Sequence, residues 1–167
     1  MEERFQIFTV LVANLNRCIY RIKTDVMAEY NLKSSHVSCL YYLYKHGPLT
    51  ATELCGLCGE DKSNVSRTIK YLEEEGYLLN NSKTNKKYLT PIELSTKGKE
   101  IGKRLSIKVD EILNYASFGL SDEDRKIMYD SLNLINERLN KLCDDYDKGN
   151  SIHFLNWLFK HKGEKND

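Results

Sequence analysis

Thr50-Ala51-Thr52-Glu53-Leu54-Cys55-Gly56-Leu57-Cys58-Gly59-Glu60-Asp61-Lys62-Ser63-Asn64-Val65-Ser66-Arg67-Thr68-Ile69-Lys70-Tyr71-Leu72-Glu73-Glu74-Glu75-Gly76 is the stretch that decides the fold. Thr50 and Glu53 have capping-box spacing, in which each side chain satisfies the other's free backbone N–H. They open a short helix from Ala51 to about Leu57, with Leu54 toward the core, and Gly59 closes it. Asp61 or Ser63 caps a second helix that runs to Glu75. Val65, Ile69 and Leu72 step by four and three along its inward face. Gly76 suits the left-handed position after its end. Two helices joined by a tight, glycine-containing turn make a helix-turn-helix.

Beyond Gly76 the pattern changes. Tyr77-Leu78-Leu79 is short and strand-like, Asn80 to Lys87 is polar, and Tyr88 to Leu94 alternates through Tyr88, Pro91 (an edge position) and Leu94. A hairpin directly behind a helix-turn-helix is a wing. Upstream, Phe8, Leu11, Leu15, Cys18 and Ile22 line one face of a helix from Phe5 to about Tyr30, with Asn31 as its end. A second helix, Ser34 to Lys45, carries a stripe of Val37, Leu40, Tyr41 and Tyr44, and Gly47-Pro48 stops it. Downstream, Ser95 or Thr96 caps a long helix reaching about Ser117. Ser121-Asp122-Glu123-Asp124 opens the last one, its acids placed where the helix dipole favours them. Met128, Leu132, Ile135, Leu139, Leu142 and Tyr146 form a heptad-like seam on that helix. The fold class expected is mainly α with a small β wing. The expected organisation is an N-terminal helix (1–33), a winged helix-turn-helix (34–98), C-terminal helices (99–148) and a tail (149–167).

Composition narrows the function. The chain of 167 residues is 41% hydrophobic and 29% charged, which is globular rather than disordered. Net charge is only +1. The charge is unevenly spread, with 11 basic against 6 acidic residues from Asp61 to Lys108 and 4 against 8 from Ser121 to Asp147. Such asymmetry fits one surface that meets a polyanion and another that does not. The start, Met1-Glu2-Glu3-Arg4, has no basic n-region, and no apolar run approaches the ~20 residues a spanning helix needs. A cytoplasmic location is expected. Five cysteines, an odd number, read as reduced thiols.

In order and residues the chain resembles the MarR-type multiple-antibiotic-resistance regulators. The resemblance is carried by Gly47-Pro48-Leu49-Thr50 to Leu54, by Lys62 to Tyr77, and by Leu89-Thr90-Pro91-Ile92-Glu93-Leu94-Ser95-Thr96-Lys97-Gly98. It covers roughly Phe5 to Tyr146. It implies a DNA-binding regulator, a repressor, that works as a homodimer and answers a small molecule or a redox signal. The wing departs from the family pattern. Its tip, Asn81-Ser82-Lys83-Thr84-Asn85-Lys86-Lys87, lacks the Asp and Arg pair. Lysine supplies a point charge without the guanidinium fork, so a loose phosphate contact is expected there.

In a helix-turn-helix the second helix enters the major groove. Its outward residues are Lys62, Ser63, Asn64, Ser66, Arg67 and Lys70. Asn64 suits adenine, Arg67 suits guanine or phosphate, and Ser63 and Ser66 suit base or backbone. Thr50 is a cap and a candidate phosphate contact. Lys83, Lys86 and Lys87 would add backbone charge from the wing. As in the family, Phe8, Leu11 and Leu15 with Met128, Leu132, Ile135, Leu139 and Leu142 are expected to build a dimer interface giving a pseudo-palindromic site.

Cys55-x-x-Cys58 has the spacing of a redox or metal motif, but it has no second pair and no histidine cluster beside it, so packing is the plainer reading. Cys18 lies on the apolar stripe and reads the same way. Tyr20, Tyr30, Tyr41, Tyr42 and Tyr44 fit either a pocket for an aromatic ligand or half-buried core. No cofactor or metal is expected, and no enzymatic activity. Two alternatives remain open. One is a winged-helix scaffold that binds protein, in which Arg67 and Lys70 would be irrelevant to DNA. The other is a thiol enzyme using Cys55 and Cys58.

Overall fold

The structure is a computed structural model that describes residues 2–79 and 90–149, with side chains from Gln6 onward. Six α-helices follow one another among these residues: α1 Glu2–Val26, α2 Ser34–His46, α3 Ala51–Cys58, α4 Lys62–Glu74, α5 Thr96–Ala116 and α6 Asp122–Asp147. A 3-10 turn, Ala28–Tyr30, ends at Asn31, whose left-handed backbone (φ 55°) breaks the run before α2. The chain forms two compact units, residues 1–115 and 116–167.

The first unit is built around α2. Every residue from His36 to Leu40 is buried, because α1, α3 and α4 all pack against this helix. The stripe expected on α2 is therefore too narrow. Val37 and Leu40 are buried as expected, and so is Leu43, whereas Tyr41 is half-buried and Tyr44 is exposed. The polar groups enclosed with them are satisfied. The Ser38 hydroxyl donates to the Ser34 carbonyl (3.2 Å) and accepts from Lys23 Nζ (3.0 Å). His36 Nδ1 accepts from the Lys33 N–H (3.2 Å), and its ring stacks on Tyr71 of α4 at 4.2 Å.

Burial pushes the His36 pKa down, and the Lys33 charge adds to the shift. The unfolded chain therefore binds a proton more readily than the folded one. Stability from this group is complete above the ordinary histidine pKa and is lost as pH falls below it. Urea unfolding followed from about pH 7.5 to about pH 5.5 should show a decline with a slope no steeper than ~1.4 kcal/mol per pH unit from this one proton. The decline should be shallower in His36→Gln; equal slopes in the two proteins would refute the assignment.

The base of the wing has three short segments, not two. Leu78 pairs antiparallel with Leu94, and Leu49, just ahead of α3, pairs antiparallel with Ile92. The ladder comprises Leu79 N–H to Glu93 O (2.9 Å), Ser95 N–H to Tyr77 O (3.0 Å), and a reciprocal pair between Leu49 and Ile92. The Leu49 segment was not anticipated. The register of the second segment also differs from expectation. Leu94 is buried and Ile92 half-buried, while Pro91 is exposed, because the inward side follows Ile92 and Leu94 at a period of two. Tyr88 and the loop residues Lys83, Lys86 and Lys87 lie outside the described residues, as does the tail beyond Gly149.

Ser95 caps α5, accepting from the Gly98 N–H (3.0 Å) and donating to the Gly76 carbonyl (2.7 Å). The helix then buries Gly98, Ile101, Gly102, Leu105 and Ser106 at helical spacing. Two of these are glycines because the backbone is crowded there. A Cβ on Gly102 would sit 2.7 Å from that of Tyr44, and one on Gly98 would sit 2.1 Å from the Tyr77 carbonyl oxygen.

In contrast, α1 has no buried residue from Gln6 to Ile22; Phe8 is half-buried and Leu11, Leu15 and Cys18 are exposed. In the second unit, Ser121 and Asp124 form the capping box that opens α6, and no residue of that helix is buried. Its seam stands open to solvent, with Leu132 44% and Leu139 49% exposed. No helix among the described residues is long and apolar enough to cross a membrane.

Candidate nucleic-acid interface

The candidate surface is the outer face of α4, and its position is set by the turn before it. Gly59 takes a left-handed backbone (φ 65°) and ends α3. Two residues later Asp61 caps α4, its carboxylate accepting from the Asn64 N–H (2.8 Å). Of the two caps the sequence offered, Asp61 is the one used. Val65, Thr68 and Leu72 are buried beneath the helix, and Ile69 is half-buried. Thr68 completes the inward stripe, although a count of apolar residues passes over it. With its underside fixed, α4 turns Lys62, Ser63, Ser66, Arg67 and Lys70 to solvent. Positions 63, 66, 67 and 70 share one face of a helix. Lys70 pairs with Glu74 at 3.7 Å, but both are largely exposed. Such a pair is worth little and yields readily to a stronger anion.

Two of the expected contact residues are placed differently. Asn64 is half-buried, and its side-chain amide donates to the Glu60 carboxylate. Thr50 is half-buried and fully employed as a cap. Its N–H (2.7 Å) and hydroxyl (2.8 Å) both donate to Glu53 Oε2, and the hydroxyl accepts from the Glu53 N–H (3.3 Å). These bonds hold the Glu53 carboxyl below its ordinary range, so a negative charge already occupies the start of α3. The glutamate four residues before Asn64 was the signal available in the sequence for its restraint. Among the described residues no group of three or more His, Cys, Asp or Glu side chains is placed to hold a metal ion.

An exposed polar helix propped on a buried stripe, a capped turn before it and a paired wing base behind it agree with what comparison finds. Residues 30–83 match the family model MarR_2, described as MarR family. Over that segment the chain is similar to the MarR family. It is 24% identical over 137 residues to the uncharacterized HTH-type transcriptional regulator YwaE of Bacillus subtilis, spanning 82% of this chain and 80% of that protein. Two solved structures share the fold. One is a putative MarR family transcriptional regulator from Listeria monocytogenes complexed with 26mer DNA, with TM-score 0.69, 20% identity, and coverage of 93% of this chain and 95% of that one. The other is Staphylococcus aureus MarR in complex with salicylate and kanamycin, with TM-score 0.69, 22% identity, and coverage of 84% and 95%.

Proposed function

We propose that this chain is a MarR-family transcriptional regulator, cytoplasmic, that binds a pseudo-palindromic DNA site as a homodimer and acts as a repressor. The observation that carries the reading is the exposed row Lys62, Ser63, Ser66, Arg67 and Lys70 on a helix fixed from below by Val65, Thr68 and Leu72. In this reading α4 lies in the major groove with Arg67 at a guanine edge or a phosphate, and the serines and lysines set register on the backbone. Asn64 reaches a base only by exchanging its bond to Glu60. Thr50 serves through its cap rather than as a free donor. Lys83, Lys86 and Lys87 contribute phosphate contacts from the wing. The DNA seen with the Listeria relative supports this role. A small-molecule or redox input relieves binding, and the ligands seen with the Staphylococcus relative support the first of these.

A fluorescence-anisotropy titration against the chain's own upstream DNA tests the reading. Binding should weaken steeply with salt, because each neutralised phosphate adds about one unit to the log–log slope. Arg67→Ala should lower affinity by about 10- to 100-fold, the worth of one good base or phosphate contact. It should leave thermal unfolding unchanged, since the side chain is exposed. Salt-insensitive binding, or an Arg67→Ala protein as tight as the parent, would sink the proposal and favour a protein-binding scaffold.

A further inference from the structure

Among the polar residues of α4's first turns, Asn64 alone sets a donor and an acceptor side by side in one planar group. That pair is what reads adenine, with the amide N–H on N7 and the carbonyl oxygen on the N6 amino group. In the structure the group is already engaged. Its amide nitrogen donates to the Glu60 carboxylate, and its backbone N–H donates to the Asp61 carboxylate (2.8 Å). Two successive acids hold both nitrogens of one residue.

Glu60 is not free to swing away. After the left-handed Gly59 its backbone N–H donates to the Cys55 carbonyl (3.2 Å), and the next residue caps α4. Its backbone is thus pinned to α3 on one side and to α4 on the other. Glu60 and Asn64 are both half-buried, so the bond between them is partly sheltered from water. A hydrogen bond to a carboxylate is roughly twice as strong as one between neutral groups. Releasing Asn64 would also leave the Glu60 charge without that partner, next to Asp61 and, in the proposed complex, next to a polyanion. Ser63, Ser66 and Arg67, by contrast, are exposed.

We propose that Glu60 is a positioning residue that sets the base preference of α4 by withholding the Asn64 amide from adenine. With Glu60 in place, the base pair facing Asn64 is not read through the amide, and direct readout falls to Arg67. Without it, the same amide is free to lie in the plane of an adenine and make both bonds. Glu60 therefore acts on specificity without touching a base itself. The inference rests on DNA binding by α4 as proposed above; the hold of Glu60 on Asn64 does not.

The test compares the full chain with Glu60→Ala, Asn64→Ala and the double variant. All should fold, since both side chains are only half-buried and the Asp61 cap uses the Asn64 backbone N–H, which alanine retains. Urea unfolding checks this, and Glu60→Met, of similar length and without a carboxylate, takes over if alanine at 60 does not fold. Each protein selects from a randomised duplex pool, and the bound fraction is sequenced. Glu60→Ala should gain an adenine preference of about 5- to 150-fold at one position, the worth of one bidentate contact. Affinity for all sequences should rise with it, because one negative charge has gone. The double variant should keep the general rise and lose the adenine preference. Parent and Asn64→Ala should both lack that preference. A Glu60 that acted through charge or folding alone would move all sequences together. Equal base profiles in the parent and Glu60→Ala overturn the proposal, as does a preference that survives in the double variant. A parent that already selects adenine through Asn64 overturns it too, since Glu60 would then present the amide. Nitrogen-15 NMR of the side-chain amides, without DNA, reads the restraint directly. The Asn64 signals, identified by their absence in Asn64→Ala, should move toward free-amide positions in Glu60→Ala; unmoved signals overturn the hold and the proposal with it. A parent that selects no duplex refutes the function proposed above and the specificity role together, while the amide signals still show whether Glu60 holds Asn64.

Discussion

Gly98→Ala is expected to destabilise the folded chain by about 3 kcal/mol, at the upper end of what over-packing costs. Helix propensity alone predicts the opposite sign, since alanine in a helix interior gains ~1 kcal/mol over glycine. Contact geometry decides the outcome. The new Cβ would lie 2.1 Å from the Tyr77 carbonyl oxygen and 3.1 Å from a Leu94 methyl. That oxygen cannot move aside cheaply, because it accepts the Ser95 N–H at 3.0 Å in the wing ladder. Either α5 lifts off the wing base or the ladder breaks. Gly56→Ala is the control. It also lies in a helix, has nothing within 4 Å of its would-be Cβ, and should gain up to ~1 kcal/mol. Urea midpoints at one protein concentration should move in opposite directions for the two variants, by roughly 1–2 M downward for Gly98→Ala at ordinary m-values. A Gly98→Ala protein as stable as its parent would mean that α5 does not approach the wing as closely as the structure places it.

The features legible in the sequence are those that act within about four residues. The Thr50–Glu53 box, the Asp61 and Ser121 caps, and the left-handed Gly59 all stand where local rules put them, since a cap is satisfied by its own neighbours, whereas the first helix, expected to run to about Tyr30, ends at Val26 and leaves Asn31 to close a separate 3-10 turn. The outward set on α4 was legible for the same reason: once Val65 and Leu72 are inside, helical geometry sends Ser63, Ser66, Arg67 and Lys70 out. What stayed hidden depends on residues distant in sequence. Leu49 meets Ile92, Cys39 meets Cys58, and Gly98 meets Tyr77, and periodicity reports which face is apolar without saying which atoms touch. Thr68 escaped because a threonine can share a buried stripe with valine and leucine. The tyrosines remained ambiguous because an aromatic with a polar tip suits a half-buried position as well as a pocket; Tyr30, Tyr41 and Tyr42 are half-buried, and Tyr20 and Tyr44 exposed.

The seam on α6 was legible as apolar, but its partner was not, and here the second large effect is expected. Leu132 and Leu139 are about half exposed in a single chain, as are Leu11 and Leu15 on α1. A folded chain does not leave such rows open without a use for them. A second copy of the chain, covering the same faces by two-fold symmetry, is the occupant consistent with a two-part DNA site whose halves lie about 34–36 Å apart. Leu132→Glu with Leu139→Glu should therefore leave helix content and the first unit's core intact, because neither side chain is buried at home. The same charges would be forced into an apolar interface between copies, at a cost of several kcal/mol by the usual scale for unpaired polar burial. Analytical ultracentrifugation should show the parent as a dimer and the variant as a monomer. DNA affinity should fall on the order of 10²-fold or more, since the second half-site contact loses its effective concentration. The comparison with Arg67→Ala is diagnostic: that variant loses affinity while remaining dimeric. If the doubly charged variant still sediments as a dimer, the α6 seam is not where two copies meet. If the parent is monomeric and binds its site with one half alone, the two-fold reading fails with it.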